Sequence, residues 1–94
     1  MDFKQIEAFV NVVKYKGFSK AADATFLTQP TISAHIANLE SELGTILLNR
    51  LGREVTLTKQ GELFFPYALN LLQMRMEAAS CVQTKNSMLN GILD

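Results

Sequence analysis

The side chains of this chain that could do chemistry are suited to hydrogen bonding, not to breaking bonds. Between Thr28 and Gly44 lies a run of small residues. At 100° per residue, Pro30, Thr31, Ala34, Ala37, Asn38 and Ser41 share one side of a helix, with Ser33 and His35 at its flanks. Ile32, Ile36, Leu39 and Leu43 gather on the other side. Hydroxyls and amides of Thr, Ser, Asn and Gln can bond base edges or phosphates, and Ala and Thr methyls can meet the thymine methyl. Side chains this slim let a helix backbone sink into a groove about 12 Å wide. The free N–H groups at the helix start, around Thr28 and Gln29, suit a phosphate. A bare solvated face has the same composition, so the neighbouring elements must decide between the two readings.

A second cluster is cationic. Arg50, Arg53 and Lys59 stand close together, with Glu54 the one acid between residues 43 and 61. A cation on a loop here can pair with a phosphate, giving salt-dependent affinity, or enter a narrow A·T minor groove. Catalytic sets fare worse. Ser19, Ser33, His35 and Asp23 lack the framing of a nucleophile elbow, and the five glycines form no phosphate-cradling loop. His35 reads as a polar helix flank. Glu40 and Glu42 read as solvated carboxylates, and Cys81, beside Ala78, Ala79 and Val82, as a packed thiol. No cofactor is implied. One cysteine and one histidine leave no set of metal ligands, so no metal is expected.

Four helices and a hairpin must position these groups. Phe3, Ile6, Phe9, Val10 and Val13 form one helical face, and Gly17 supplies a left-handed stop. Phe18-Ser19 reads as an apolar staple and N-cap for a short Ala-rich helix that stops near Phe26-Leu27. Thr28-Gln29-Pro30 starts the next helix, with a capping threonine and proline in the first turn, and Gly44 ends it. Two short helices joined so tightly predict a helix-turn-helix. Strands at Ile46–Arg50 and Glu54–Thr58 flank Leu51-Gly52-Arg53 and predict a wing.

Thr58 caps a last helix expected to run from Lys59 towards Met88, about 45 Å long, with Pro66 bending it or removing one hydrogen bond. Phe65, Leu69, Leu72, Met76 and Ala79 follow a heptad-like spacing on it, and Phe64, Leu71 and Ala78 lie on another side. So wide an apolar surface predicts packing on the helix's own domain and on a second copy of the chain, a homodimer holding two reading helices at fixed separation. Residues 84–94 lose the rhythm and read as a frayed end or linker.

Composition bounds these readings. Ninety-four residues, 48% hydrophobic, make one small domain, and nine basic residues balance nine acidic ones. That balance gives no overall attraction to an anionic partner and favours the competing reading, a protein-interaction module. The charged N-terminus reads as no signal peptide, and the stretch Leu63–Leu72, broken by Pro66 and Asn70, is too short to span a bilayer. A cytoplasmic protein with no membrane partner is expected.

The motifs Phe18-Ser19-Lys20-Ala21-Ala22, Thr28-Gln29-Pro30-Thr31-Ile32-Ser33, Leu39-Glu40-Ser41-Glu42-Leu43-Gly44, Leu47-Leu48-Asn49-Arg50 and Val55-Thr56-Leu57-Thr58-Lys59-Gln60-Gly61, in that order and spacing, resemble the N-terminal domain of LysR-type transcriptional regulators. The resemblance covers residues 1 to about 65 closely and the long helix loosely. It implies a mainly α fold: a winged helix-turn-helix over residues 1–58, a linker and dimerisation helix over 59–88, and at 89–94 the lead-in to a further domain. It implies a sequence-specific regulator that binds double-stranded DNA at an inverted repeat, as a dimer or a higher oligomer in a longer protein. A small-molecule effector would bind only the further domain.

The resemblance places Gln29, Pro30, Thr31 and Ser33 at the start of the reading helix, Arg50 at the wing's flank and Arg53 at the minor groove. With the face described above, the expected DNA-contacting set is Ser19, Thr28, Gln29, Pro30, Thr31, Ser33, Ala34, His35, Asn38, Arg50 and Arg53. Ala34, Ala37 and Asn38 stand where the family often carries Arg or Lys, which implies weaker phosphate anchoring by this helix.

Overall fold

The computed structural model describes residues 1–88, and side chains as far as Gln83. Helices α1 (Phe3–Tyr15), α2 (Phe18–Thr25) and α3 (Gln29–Leu43) come first. Strands β1 (Leu48–Asn49) and β2 (Thr56–Leu57) follow, and α4 (Lys59–Met88) closes the chain. The expected hinge at 89–94 lies outside the described residues. Among the described residues, no helix is long and apolar enough to cross a membrane.

Local signals set most boundaries. Asp2 caps α1, its carboxylate accepting from the Gln5 N–H at 2.8 Å. The left-handed stop of α1 falls on Lys16 (φ 62°), however, and not on Gly17, whose backbone is extended. The Lys16 carbonyl is held there, accepting from Val55 N–H at 3.2 Å. Tertiary bonding thus outweighs the conformational preference of glycine for that role. The start of α2 moves accordingly. Gly17 is its N-cap, and Ser19 lies inside the helix rather than capping it. Helix α2 stops at a second left-handed residue, Phe26 (φ 60°), after Thr25 donates its hydroxyl to the Ala21 carbonyl at 2.8 Å.

The core forms where α1, α2 and α3 cross. Phe9, Val12, Ala21, Ile32, Ile36 and Leu39 are fully buried. The inward face of α1 runs through Ile6, Ala8, Phe9 and Val12, whereas Phe3 is largely exposed and Val10 and Val13 are half-buried. Alanines at 21 and 22 let α2 approach closely.

The wing is shorter than expected. Leu48 pairs with Leu57 and Asn49 with Thr56, antiparallel, and regular pairing ends there. Leu47 and Leu48 are both buried at this root, and in the second strand Val55 and Leu57 pack against the core while Thr56 between them is exposed. Leu47 gives its N–H to the Glu40 carboxylate instead of to a ladder partner, at 2.8 Å. Glu40 is accordingly buried, not solvated, and it accepts from Leu48 N–H as well, at 3.2 Å.

Helix α4 passes through Pro66 without interruption, on a side where Glu62 and Pro66 are both exposed. Thr58 caps it, accepting from Gly61 N–H at 3.0 Å while its own hydroxyl donates to the Ile46 carbonyl at 2.6 Å. Phe64, Phe65, Ala68 and Leu72 turn towards the core, with the Phe64 and Phe65 rings 5.5 and 6.0 Å from Phe9. One turn further, Arg75 pairs with Glu7 at 2.7 Å and lies over the Phe3 ring. Beyond that point α4 leaves the domain, so the molecule measures 58 × 26 × 18 Å.

Gly61 is the point of closest approach between α4 and the wing root. A Cβ there would overlap the Leu47 carbonyl oxygen and crowd Leu57 Cδ2 at 3.0 Å. Gly61→Ala should therefore cost about 1–3 kcal/mol, read as a lowered Tm in thermal denaturation. Lys16→Gly, which relieves a left-handed side chain, should instead raise stability, by roughly 0.5–1 kcal/mol in urea unfolding.

Candidate nucleic-acid interface

The start of α3 is a small hydrogen-bonded unit. Thr28 caps the helix through its hydroxyl, which accepts from Thr31 N–H at 3.3 Å and lies 2.8 Å from the Thr31 hydroxyl. The Ser19 hydroxyl of α2 donates to Gln29 Oε1 at 2.9 Å. That bond orients the Gln29 amide and leaves its two N–H donors unpartnered among the described residues. Ser19 can do this because it stands inside α2, facing across the turn. No acidic residue occupies the first turn of α3, so nothing opposes an anion at its positive end.

From that end a slim ridge runs along α3. Pro30, Ala34, Ala37, Asn38 and Ser41 are exposed on it, and Thr31, Ser33 and His35 are half-buried at its edges. The opposite side is sealed by Ile32, Ile36 and Leu39. His35 borders a shallow depression with Lys4, Glu7, Thr25, Leu27 and Thr31, away from the wing. On the other side, Ala37 and Glu40 line a groove with Ile46, Leu48, Asn49, Arg50 and Leu51. Ridge and wing thus border a common groove.

The two wing arginines differ. Arg53 is exposed at the turn, next to Gly52 (φ 101°), and has no ion-pair partner among the described residues. Arg50 is occupied. Its guanidinium lies 3.8 Å from Glu40 Oε1 and 4.5 Å above the centre of the Phe18 ring. Glu40, a solvated carboxylate by residue type, carries one sequence signal of this role: at 100° per residue it adjoins the apolar stripe instead of the open face.

A second surface lies along α4. Of the five residues expected at a dimer seam, Phe65 and Leu72 pack against the domain's own core, while Leu69, Met76 and Ala79 are exposed. A different exposed row, Leu63, Tyr67, Leu71, Met74 and Val82, follows one helical stripe with Ala78. At its base, Leu43, Leu47, Leu63 and Tyr67 border an apolar groove. Cys81 is exposed beside this row, not packed as its apolar neighbours suggested. Among the described residues no group of acids, histidines and cysteines could hold a metal ion.

Comparison with known proteins places this arrangement. The model of the bacterial regulatory helix-turn-helix protein, lysR family, matches residues 3–62. The chain belongs to the LysR family. It is 47% identical over 72 residues to the HTH-type transcriptional regulator CitR of Bacillus subtilis, covering 77% of this chain and 25% of CitR. The chain thus spans about a quarter of the length of that relative, and likewise of BenM from Acinetobacter baylyi. Among solved structures, the DNA-binding domain of BenM in complex with catB site 1 DNA superposes with a TM-score of 0.89 at 39% identity, over 93% of this chain and 98% of that one. The CbnR DNA-binding domain in complex with DNA superposes with a TM-score of 0.85 at 28% identity, over 92% and 99%. The LysR-type domain is therefore a winged helix-turn-helix of four helices and a two-stranded wing.

The cap of α3 can be tested without a ligand. Thr28→Ala should lower unfolding free energy by about 1 kcal/mol, and Thr28→Ser should restore most of it. Chemical denaturation followed by circular dichroism reads both.

Proposed function

We propose that this LysR-type domain binds double-stranded DNA sequence-specifically, as the DNA-binding part of a cytoplasmic transcription regulator without catalytic activity. Helix α3 enters the major groove, with Gln29, Pro30, Thr31, Ser33, Ala34 and Asn38 towards base edges and Ser19, Thr28 and His35 at the backbone. The wing, which carries Arg50 and Arg53, reaches the backbone and minor groove. The observation that carries the reading is the slim, uncharged ridge of α3 beside an exposed, unpaired Arg53, on a backbone that superposes on two DNA-bound relatives over more than nine-tenths of its length. Zero net charge does not oppose it, because three cations against one acid lie between residues 43 and 61.

The domain acts as a homodimer on an inverted repeat, joined through α4. The exposed row from Leu63 to Val82 supports that, since a lone domain leaves it to water. In this reading residues 1–58 read DNA, 59–88 dimerise, and 89–94 lead to an effector-binding domain. That longer protein could assemble beyond a dimer.

Selection from a random duplex pool should enrich a twofold-symmetric site. On it, Arg53→Ala should flatten the dependence of log K on log salt by about 1.8, one phosphate for each protomer of the dimer. Ser33→Ala should weaken the selected site relative to a scrambled one. If neither variant changes binding, the assignment of reading helix and wing is wrong. Sedimentation at micromolar concentration should give twice the chain mass of 10.5 kDa, and Tyr67→Asp should give monomers.

A further inference from the structure

We infer that Arg50 is a positioning residue, which holds the wing in place through Glu40 and Phe18, and that Arg53 alone of the two wing arginines touches the duplex. The inference rests on the DNA-binding reading above and deepens it. A cation beside a nucleic-acid surface is ordinarily assigned to a phosphate, and the geometry here argues otherwise. The guanidinium of Arg50 sits 4.5 Å over Phe18, the first residue of α2, and 3.8 Å from Glu40 in the last turn of α3. Glu40 is 8% exposed, and its other oxygen accepts from Leu47 and Leu48 N–H at the wing root.

A buried carboxylate needs charge compensation as well as donors. Leu47 and Leu48 supply the donors, and Arg50 is the one cation paired with Glu40 among the described residues. The guanidinium lies over an aromatic ring and brings one of its amino nitrogens towards the acid, a combination to which a planar guanidinium is better suited than a compact ammonium. One side chain thereby touches α2, α3 and the wing together. Arg53, at the wing's exposed turn, has no such ties. The position of Arg53 relative to the α3 ridge depends on how the root is held.

The two roles predict opposite signs. Glu40→Gln removes a negative charge near the interface. If Arg50 were a phosphate contact, that change would free it and tighten binding. If Arg50 positions the wing, the change loosens the root and weakens binding. Lysine can replace arginine at a phosphate but not in this stacked pair.

The test uses the 94-residue chain, a selected duplex and four variants: Glu40→Gln, Arg50→Met, Arg50→Lys and Arg53→Ala, with a double variant of Arg50→Met and Arg53→Ala. Without DNA, amide exchange at Leu47 and Leu48 should quicken roughly tenfold in Glu40→Gln and Arg50→Met, as expected on losing a charge-assisted bond, and stay unchanged in Arg53→Ala. With DNA, Glu40→Gln should weaken binding and Arg50→Lys should fail to restore it. The salt slope should fall by the same single step, about 1.8 for one phosphate per protomer of the dimer, in Arg50→Met, Arg53→Ala and the double variant. Tighter binding by Glu40→Gln, full affinity in Arg50→Lys, or a two-step fall in the double variant would overturn the proposal. If Glu40→Gln does not fold, the half-exposed Arg50 variants decide the same question. If the unaltered chain binds no duplex, the DNA reading fails, and amide exchange still decides whether Arg50 holds the wing.

Discussion

The structure depends on one buried acid. Glu40 brings a carboxylate from the sealed flank of α3 to the two amides that begin the wing. Each hydrogen bond to a charged acceptor is worth about 1.5–3 kcal/mol, and leaving such a charge buried without partners costs at least as much. The pairing is therefore hard to lose, and its consequences run outward. Because Leu47 gives its N–H to Glu40, its carbonyl is positioned to accept from Thr58 N–H at 3.0 Å. Thr58 starts α4, and Gly61 lets that helix lie against the Leu47 carbonyl. Helix α3, the wing and α4 thus form one connected body through a few main-chain groups.

Electrostatics explains how a chain with no net charge can present an interface for an anion. Field at a surface depends on where charges stand, not on their sum. Glu40 is withdrawn from the surface and paired with Arg50, and Glu7 is occupied by Arg75. The ridge of α3 carries no charge, and Arg53 extends from the wing unpaired among the described residues. A neutral ridge with few phosphate-directed cations relies more on fit and on the helix's positive end than a basic one does.

Helix α4 serves two surfaces because a helix longer than its domain must have two environments. Through Arg75 it covers the core with Phe64, Phe65, Ala68 and Leu72, and a stripe about a third of a turn around the helix keeps Leu63, Tyr67, Leu71 and Met74 in solvent. The sequence shows that such a helix is apolar on several sides. It does not show which side is inward, because Phe65 and Leu69 are equally apolar and the choice depends on where Phe9 lies.

Much of this protein was legible from local chemistry alone. Thr28, Gly44 and Thr58 end or begin helices by bonds made within a few residues, so their types suffice to place them. The buried side of α3, the tight turn and the length of α4 follow from periodicity for the same reason. What tertiary structure alone decided involves partners distant in sequence. The Val55 N–H that holds Lys16 left-handed lies 39 residues away, so the glycine beside it was freed for another use. Ser19 became a buttress for Gln29, and Glu40 turned from surface acid into the anchor of the wing, by bonds across 10 and 7 residues. A local pattern fixes the bonds a residue can make with its neighbours, and only the folded chain determines which distant groups compete for it.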